Sequence, residues 1–421
     1  MSINFLITIL VSRYLGPKNF GILAYANSMV GLFATAGHIG LSGLVVREIV
    51  KYPQDRAAIM GTSFALKSLG ILTGFVALIF TTFFLKNEYS TEFWILLIVS
   101  TSMLFQPLNV IDFWFQAHVQ SKYIAIVNTA ALFISGIFQI TLITLGAELL
   151  PFAFTNLLHS AVIAVFLVLF YQLKANVPIK SWLVSIEKAK ELFRNGWIIY
   201  LGSIFAIIYL KVDLIMLRWL SGAEEVGIYS VAVKLSEVWY FLPTAIIASL
   251  FPKLIQLRES DLNHYRRRLQ QVFDLLFTLA FIVAIAITIF AQPLISLAFG
   301  KEYLDSVAIL NVHIWSGLFI FMRAAFSKWI LIENAIIFSL ITQGLGGLSN
   351  IILNLVLIPK LGGYGAAIAT FLSYAIASYL SLSIYKPTRQ VFWMMSKSLL
   401  LVPTFGQRYW SIFSKNIVNR L

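Results

Sequence analysis

Four basic residues, Lys67, Lys211, Lys234 and Arg323, interrupt stretches that are otherwise apolar, and two acids, Asp213 and Glu237, stand close to two of them in sequence. A charge at the centre of a bilayer costs at least about 2.5–3.5 kcal/mol, so each needs a partner, a wet cavity or a route to the surface. Lys211 and Lys234 both lie about 14 Å below one surface at 1.5 Å per residue, which points to a basic chamber that would attract an anion. The alternative is an internal ion-pair set, with Lys234 held by Glu237 and Lys211 by Asp213 or another acid. On a helix Lys211 and Asp213 point about 200° apart, so the two cannot face one partner. Arg323 has no acid within one turn, and a cavity is its natural setting. Lys67 shares a face with Ser63, Gly70 and Gly74. That face is read either as a cavity wall or as a Gly-x-x-x-Gly packing seam from which Lys67 snorkels outward.

No other chemistry competes. The chain lacks cysteine, which removes disulfides, thiolate metal sites and cysteine nucleophiles. Gly-x-x-x-x-Gly-Lys-Ser/Thr, His-Glu-x-x-His and Gly-x-Ser-x-Gly are missing, and the histidines are scattered. We therefore expect neither an enzyme nor a cofactor or metal.

The elements that position these charges must be membrane helices. Only 12% of the residues are charged and 59% are hydrophobic, with a mean hydropathy of +0.86, where a soluble domain carries about a quarter charged residues. Apolar runs of bilayer length fall near 1–12, 20–45, 58–85, 91–111, 121–145, 149–173, 196–220, 226–252, 270–299, 305–332, 336–358 and 361–385. Stretches such as 64–85 are apolar on nearly every face, which excludes a barrel of alternating strands. The first run is apolar only from Ile3 to Val11, so the first helix is expected to be truncated. Placing the N-terminus in the cytoplasm puts Arg47, Lys51, Lys122, Lys174, Arg258, Arg266, Arg267, Arg268 and the basic residues from Lys386 onward on the cytoplasmic side. It leaves only Arg13, Lys18, Lys86, Arg218, Lys301 and Lys360 opposite. This asymmetry accounts for most of the net charge of +13 without nucleic acid.

Segment 174–195, with Trp182, Leu183, Ile186 and Leu192 among charges, reads as a cytoplasmic amphipathic helix joining two halves. Those halves are 1–173 and 196–385, followed by a basic cytoplasmic tail over 386–421. They resemble each other: Arg13-Tyr-Leu-Gly-Pro-Lys-Asn-Phe-Gly aligns with Arg218-Trp-Leu-Ser-Gly-Ala-Glu-Glu-Val-Gly, so that Gly21 matches Gly227, and later Trp114 matches Trp329. Six passes per half make this a parallel repeat about an axis along the membrane normal. Pro107 and Pro243 are candidate bends within spans.

Arg13-Tyr-Leu-Gly-Pro-Lys-Asn-Phe-Gly, Gly40-Leu41 with Arg47-Glu48, Trp114-Phe-Gln116, Asp213-Leu-Ile-Met-Leu, Gly227-Ile-Tyr-Ser-Val-Ala, Phe251-Pro252 and Gly363-Tyr-Gly-Ala-Ala-Ile-Ala-Thr occur in this order along nearly the whole chain. The pattern resembles the O-antigen flippases of the multidrug, oligosaccharidyl-lipid and polysaccharide (MOP) exporter superfamily. That resemblance implies an all-α membrane protein of about twelve helices in two six-helix lobes around a central cavity. It further implies transport of an undecaprenyl-pyrophosphate-linked oligosaccharide across the inner membrane. Membrane lipids, and a polysaccharide polymerase with its chain-length regulator, would be its partners. Lys67, Lys211, Lys234 and Arg323 would then meet the pyrophosphate, with Asp213 and Glu237 as cavity acids or ion-coupling groups. Trp114, Tyr200, Tyr229 and Trp239 offer aromatic faces to sugars. A drug or cation antiporter of the same superfamily is the nearest alternative and would favour buried carboxylates. A membrane glycosyltransferase or polymerase would be expected to carry a large outer loop, and every outer loop here is short.

Overall fold

The computed structural model describes residues 2–38, 40–85, 90–175, 177–333 and 335–401, and among them there is no strand. The helices are α1 (Ser2–Ala34), α2 (Leu41–Lys51), α3 (Arg56–Leu85), α4 (Thr91–Thr101), α5 (Val110–Ala117), α6 (Lys122–Thr144), α7 (Leu149–Lys174), α8 (Ile186–Leu220), α9 (Ala223–Glu237), α10 (Phe241–Ser260), α11 (Leu262–Ala298), α12 (Ser306–His313), α13 (Gly317–Ile332), α14 (Ile336–Ser378) and α15 (Arg389–Leu399). Among the described residues nine helical runs are long and apolar enough to cross a membrane, and a tenth forms if the bent pair Ile186–Ile198 and Tyr200–Ile208 is one span. This is a multi-pass membrane protein. Residues such as Leu69, Leu72, Val76 and Phe80 on α3 stay exposed, as a helix face solvated by lipid does.

Two of the nine runs, Ile3–Lys51 and Ile337–Ser383, are 49 and 47 residues long, more than twice the roughly 20 residues that span a bilayer. Each is interrupted by a glycine in the left-handed region, Gly16 at φ 70° and Gly362 at φ 54°. Pro17 follows the first break, where its missing N–H sits at the start of a helix and costs nothing. Pro107 and Pro243 also mark interruptions: a 3-10 stretch over Ser102–Asn109 separates α4 from α5, and one over Val238–Tyr240 separates α9 from α10. A proline withholds the donor that an α-helical turn requires.

By internal packing the chain forms two compact units, Met1–Ser230 with Ile295–Leu304, and Val231–Leu294 with Asp305–Leu421. Within the first unit α3 packs closely on α1 and the turn after it. A β-carbon on Gly70 or Gly74 would overlap the carbonyls of Ala36 or Phe33. The Gly-x-x-x-Gly face is thus a packing seam, and Lys67 stands at its edge. In the second unit the buried core includes Tyr265, Leu269, Phe321, Met322 and Phe326.

Segment 174–195 differs from the expected amphipathic helix. α7 ends at Lys174, a 3-10 turn covers Ile179–Ser181, and helix resumes only at Ile186, where the Ser185 hydroxyl accepts from the Lys188 N–H. The intervening backbone spends its hydrogen bonds on α3 instead: Leu183 N–H donates to the Ala57 carbonyl at 3.2 Å and Ser185 N–H to Thr62 Oγ1 at 2.9 Å. Gly61 permits this approach, since any side chain there would overlap the Leu183 backbone. Trp182 and Leu192 turn inward, Trp182 donating to the Tyr171 hydroxyl at 3.0 Å. Of the basic tail, 402–421 lies outside the described residues.

Candidate functional site

In the first unit a cavity of about 250 Å³ opens beside Lys67. α3 supplies Lys67, the turn after α1 supplies His38, and α8 supplies Ser203. The rest comes from one short stretch. Asn109, Asp112, Phe113 and Gln116 recur three or four positions apart and so share one face of α5 and its lead-in. Only 7% of Lys67 is exposed. Its ammonium lies 5.4 Å from the centre of the Phe113 ring, a cation–π contact, and feels the charge of Asp112 across the cavity. Asp112 Oδ1 is buried without a hydrogen-bond partner among the described residues. The cavity therefore holds one buried cation, one carboxylate with unused acceptor capacity, and several neutral polar groups at its wall. It can receive an anion at Lys67 or a proton or small cation at Asp112.

The other expected site residues are spread over both units. In the first unit Lys211 is exposed on α8, whereas Asp213, two positions on, is buried and accepts from the Tyr229 hydroxyl at 2.9 Å. Trp114 is 4% exposed, stacked on His118 at 4.2 Å between ring centres and edge-on to Tyr171 at 5.3 Å. Tyr200 packs half-buried against the same aromatic core. In this conformation Trp114 and Tyr229 are enclosed by protein and offer no open face. In the second unit Lys234 is exposed, Glu237 and Trp239 are half-buried, and Arg323 donates from Nη1 to the Ala377 carbonyl at 3.3 Å. Arg323 thus meets a neutral backbone acceptor.

Asp112, His38 and Asn109 escaped the sequence reading. The spacing 109, 112, 116 on one helical face was the available signal, masked by the apolar residues Phe113 to Phe115 between them. A second missed pair, Arg218 with Glu92, carried no signal at all. Arg218 grips the buried Glu92 with two parallel bonds, Nε to Oε1 at 2.9 Å and Nη2 to Oε2, across 126 positions of sequence.

Among the described residues the bundle is entirely helical, and its fold is shared with solved structures. The chain superposes on a lipid II flippase MurJ in an inward closed conformation with a TM-score of 0.68 at 16% identity, covering 95% of this chain and 90% of that one. It superposes on an inward-facing multidrug resistance MATE transporter of the MOP superfamily with a TM-score of 0.67 at 15% identity, covering 94% and 95%. The expected all-helical, multi-pass fold is therefore present, with nine or ten apolar spans among the described residues. Residues 1–258 match the family described as polysaccharide biosynthesis protein, and the chain belongs to that family. Among curated relatives it is 27% identical over 386 residues to a probable flippase, AglR, of Haloferax volcanii, covering 89% of this chain and 78% of that one. It is 25% identical over 318 residues to a putative O-antigen transporter of Shigella flexneri, covering 72% and 74%.

Proposed function

We propose that the protein is a flippase for a lipid-linked oligosaccharide, an O-antigen or similar repeat unit on undecaprenyl pyrophosphate, moved from the cytoplasmic to the periplasmic leaflet of the inner membrane. The observation that carries this reading is Lys67, a buried ammonium on the wall of a polar cavity inside an apolar bundle. A buried cation is stabilised by an opposite charge nearby, which Asp112 supplies at rest and a phosphate would supply during transport. The relatives named as flippase and O-antigen transporter support a glycan lipid as cargo.

In this reading two six-helix lobes, 1–173 and 196–385, alternate access. Both termini face the cytoplasm, where Lys67 and Arg323 take the pyrophosphate first, and Lys211 and Lys234 take it nearer the periplasm. Asp213 and Glu237 balance the chamber or couple an ion, and Tyr200 and Trp239 are the half-buried aromatic faces for sugar. Trp114 and Tyr229 would need a further conformation to serve. Without a nucleotide motif, energy comes from an ion gradient, the membrane potential or removal of product by a polymerase and its regulator. A deletion strain should accumulate the lipid-linked repeat unit on the cytoplasmic face, and the cloned gene should clear it. A strain whose surface polysaccharide and lipid-linked pool are unchanged would overturn the proposal. Asp112, a buried carboxylate, favours the antiporter as a second reading; altered drug susceptibility with normal polysaccharide would select it.

A further inference from the structure

A second cavity, of about 300 Å³, lies wholly in the second unit, where α10 ends, α11 begins and α13 ends. Its position at helix ends puts it level with lipid headgroups, outside the hydrocarbon. Arg258 spans one wall, donating through Nε and Nη2 to the Glu333 carboxylate at 2.7 and 3.0 Å, so that its charge is answered within the protein. Arg266 adds an exposed guanidinium on the same face of α11 as Leu262 and Tyr265, three and four positions apart. The lining therefore carries one cation in surplus.

Tyr265 is 1% exposed, yet its hydroxyl is buried with no hydrogen-bond partner among the described residues, and it lines the cavity. Leaving a buried hydroxyl unmet is unfavourable, so the site is built for an acceptor from outside. Leu262 and Tyr385 also line the cavity and are 41% and 46% exposed. The cavity thus joins a buried, unpartnered hydroxyl to one surplus exposed cation and exposed apolar side chains.

We propose that it holds the headgroup phosphate of an anionic bilayer phospholipid, with the Tyr265 hydroxyl and the Arg266 guanidinium donating to phosphate oxygens while the acyl chains lie along the exposed apolar side chains. Basic pockets between membrane helices recognise anionic headgroups in this way. A zwitterionic headgroup would bring its own cation against Arg266 and would be disfavoured. Free phosphate would satisfy the hydroxyl and the guanidinium and leave the exposed apolar side chains unused. The bound lipid would tie the corner between α10 and α11 to the end of α13.

The test uses the full-length protein purified in detergent, with lipid retention read by native mass spectrometry. Wild type should retain phosphatidylglycerol over phosphatidylcholine. Tyr265→Phe, which removes one hydroxyl, should weaken that retention about tenfold, the equivalent of one hydrogen bond of about 1.4 kcal/mol. Arg266→Gln should abolish the preference between the two lipids. Melting temperatures without added lipid should match wild type for both variants; if Tyr265→Phe alone melts lower, Arg266→Gln decides, since its side chain is exposed. Equal retention of both lipids by wild type, or a preference untouched by Arg266→Gln, would overturn the proposal. So would displacement of phosphatidylglycerol by millimolar inorganic phosphate, which would make the site one for free phosphate.

Discussion

Gly21 and Gly227 pack reciprocally against each other's helices. A β-carbon on Gly21 would overlap the Ala223 carbonyl, and one on Gly227 would overlap the Pro17 carbonyl. Pro17 and Ala223 each stand four residues ahead of the neighbouring glycine. The correspondence extends further: Gly16 and Gly222, each five residues ahead, both have positive φ, 70° and 102°. The two copies of the repeated motif therefore meet face to face at a crossing only glycine permits. A small-residue crossing of this kind draws its stability from backbone approach and van der Waals contact, because lipid supplies no hydrophobic drive.

Gly21→Ala and Gly227→Ala should accordingly destabilise the purified protein to a similar degree, by about 1–3 kcal/mol each, the usual cost of overpacking. Valine at either position should prevent stable assembly. Thermal unfolding in detergent, followed by size-exclusion chromatography, measures this. Matching losses at the two positions support a symmetric crossing; a neutral Gly227→Ala beside a damaging Gly21→Ala would break it.

The polarity of the spans makes a second expectation. Reporter fusions after Glu148, Glu225 and Lys301 should report the periplasm, and fusions after Gln54 and Ser260 the cytoplasm. Fusions after Gly16 and Gly362 should join the periplasmic group, the first from the twelve-run reading of the sequence and the second because a run of 47 residues broken at Gly362 is long enough for two passes. Cytoplasmic signal at Gly16 or Gly362 would reduce the number of passes below twelve.

Arg218 and Glu92 should couple strongly. Breaking a buried ion pair by removing one partner costs about 3–5 kcal/mol, and somewhat less where, as here, the arginine keeps partial contact with solvent. Glu92→Gln should lower the melting temperature markedly. Arg218→Lys should recover little, since an ammonium cannot form the two parallel bonds. A double variant Glu92→Leu with Arg218→Leu that melts near wild type would confirm that the single losses come from an uncompensated charge.

The fold was legible because the bilayer imposes one rule on every span: backbone groups are satisfied within the segment, so apolar runs of sufficient length must be helices. Proline interruptions were equally legible at Pro107, within a 3-10 stretch, and at Pro243, shortly after one. The site was less so. Lys67 stood out as a charge in an apolar run, whereas Asp112 hid beside a run of three aromatic residues, of which Phe113 shares its cavity face. Trp114 shows the converse: its aromatic face is spent on His118 and Tyr171, a choice of tertiary packing that spacing along one helix cannot reveal. The segment at 174–195 went astray for a related reason, because Gly61 on another helix decides where its backbone bonds.

Lys67 and Asp112 provide the sharpest test of whether the cavity serves transport or only architecture. Lys67→Ala leaves the Asp112 carboxylate buried without its cation, and Asp112→Ala leaves the Lys67 ammonium buried without its counter-charge; either should reduce membrane abundance if the pair is needed for folding. The double variant Lys67→Ala with Asp112→Ala removes both charges and should restore abundance, the non-additivity expected of coupled neighbours. Transport separates the readings. If Lys67 meets the pyrophosphate, the double variant will reach the membrane in normal amount yet leave the lipid-linked repeat unit stranded on the cytoplasmic face. Lys67→Arg, which keeps the charge but changes its geometry, should retain part of the activity. Full surface polysaccharide from the double variant would show the pair to be a structural device and remove Lys67 from the transport path.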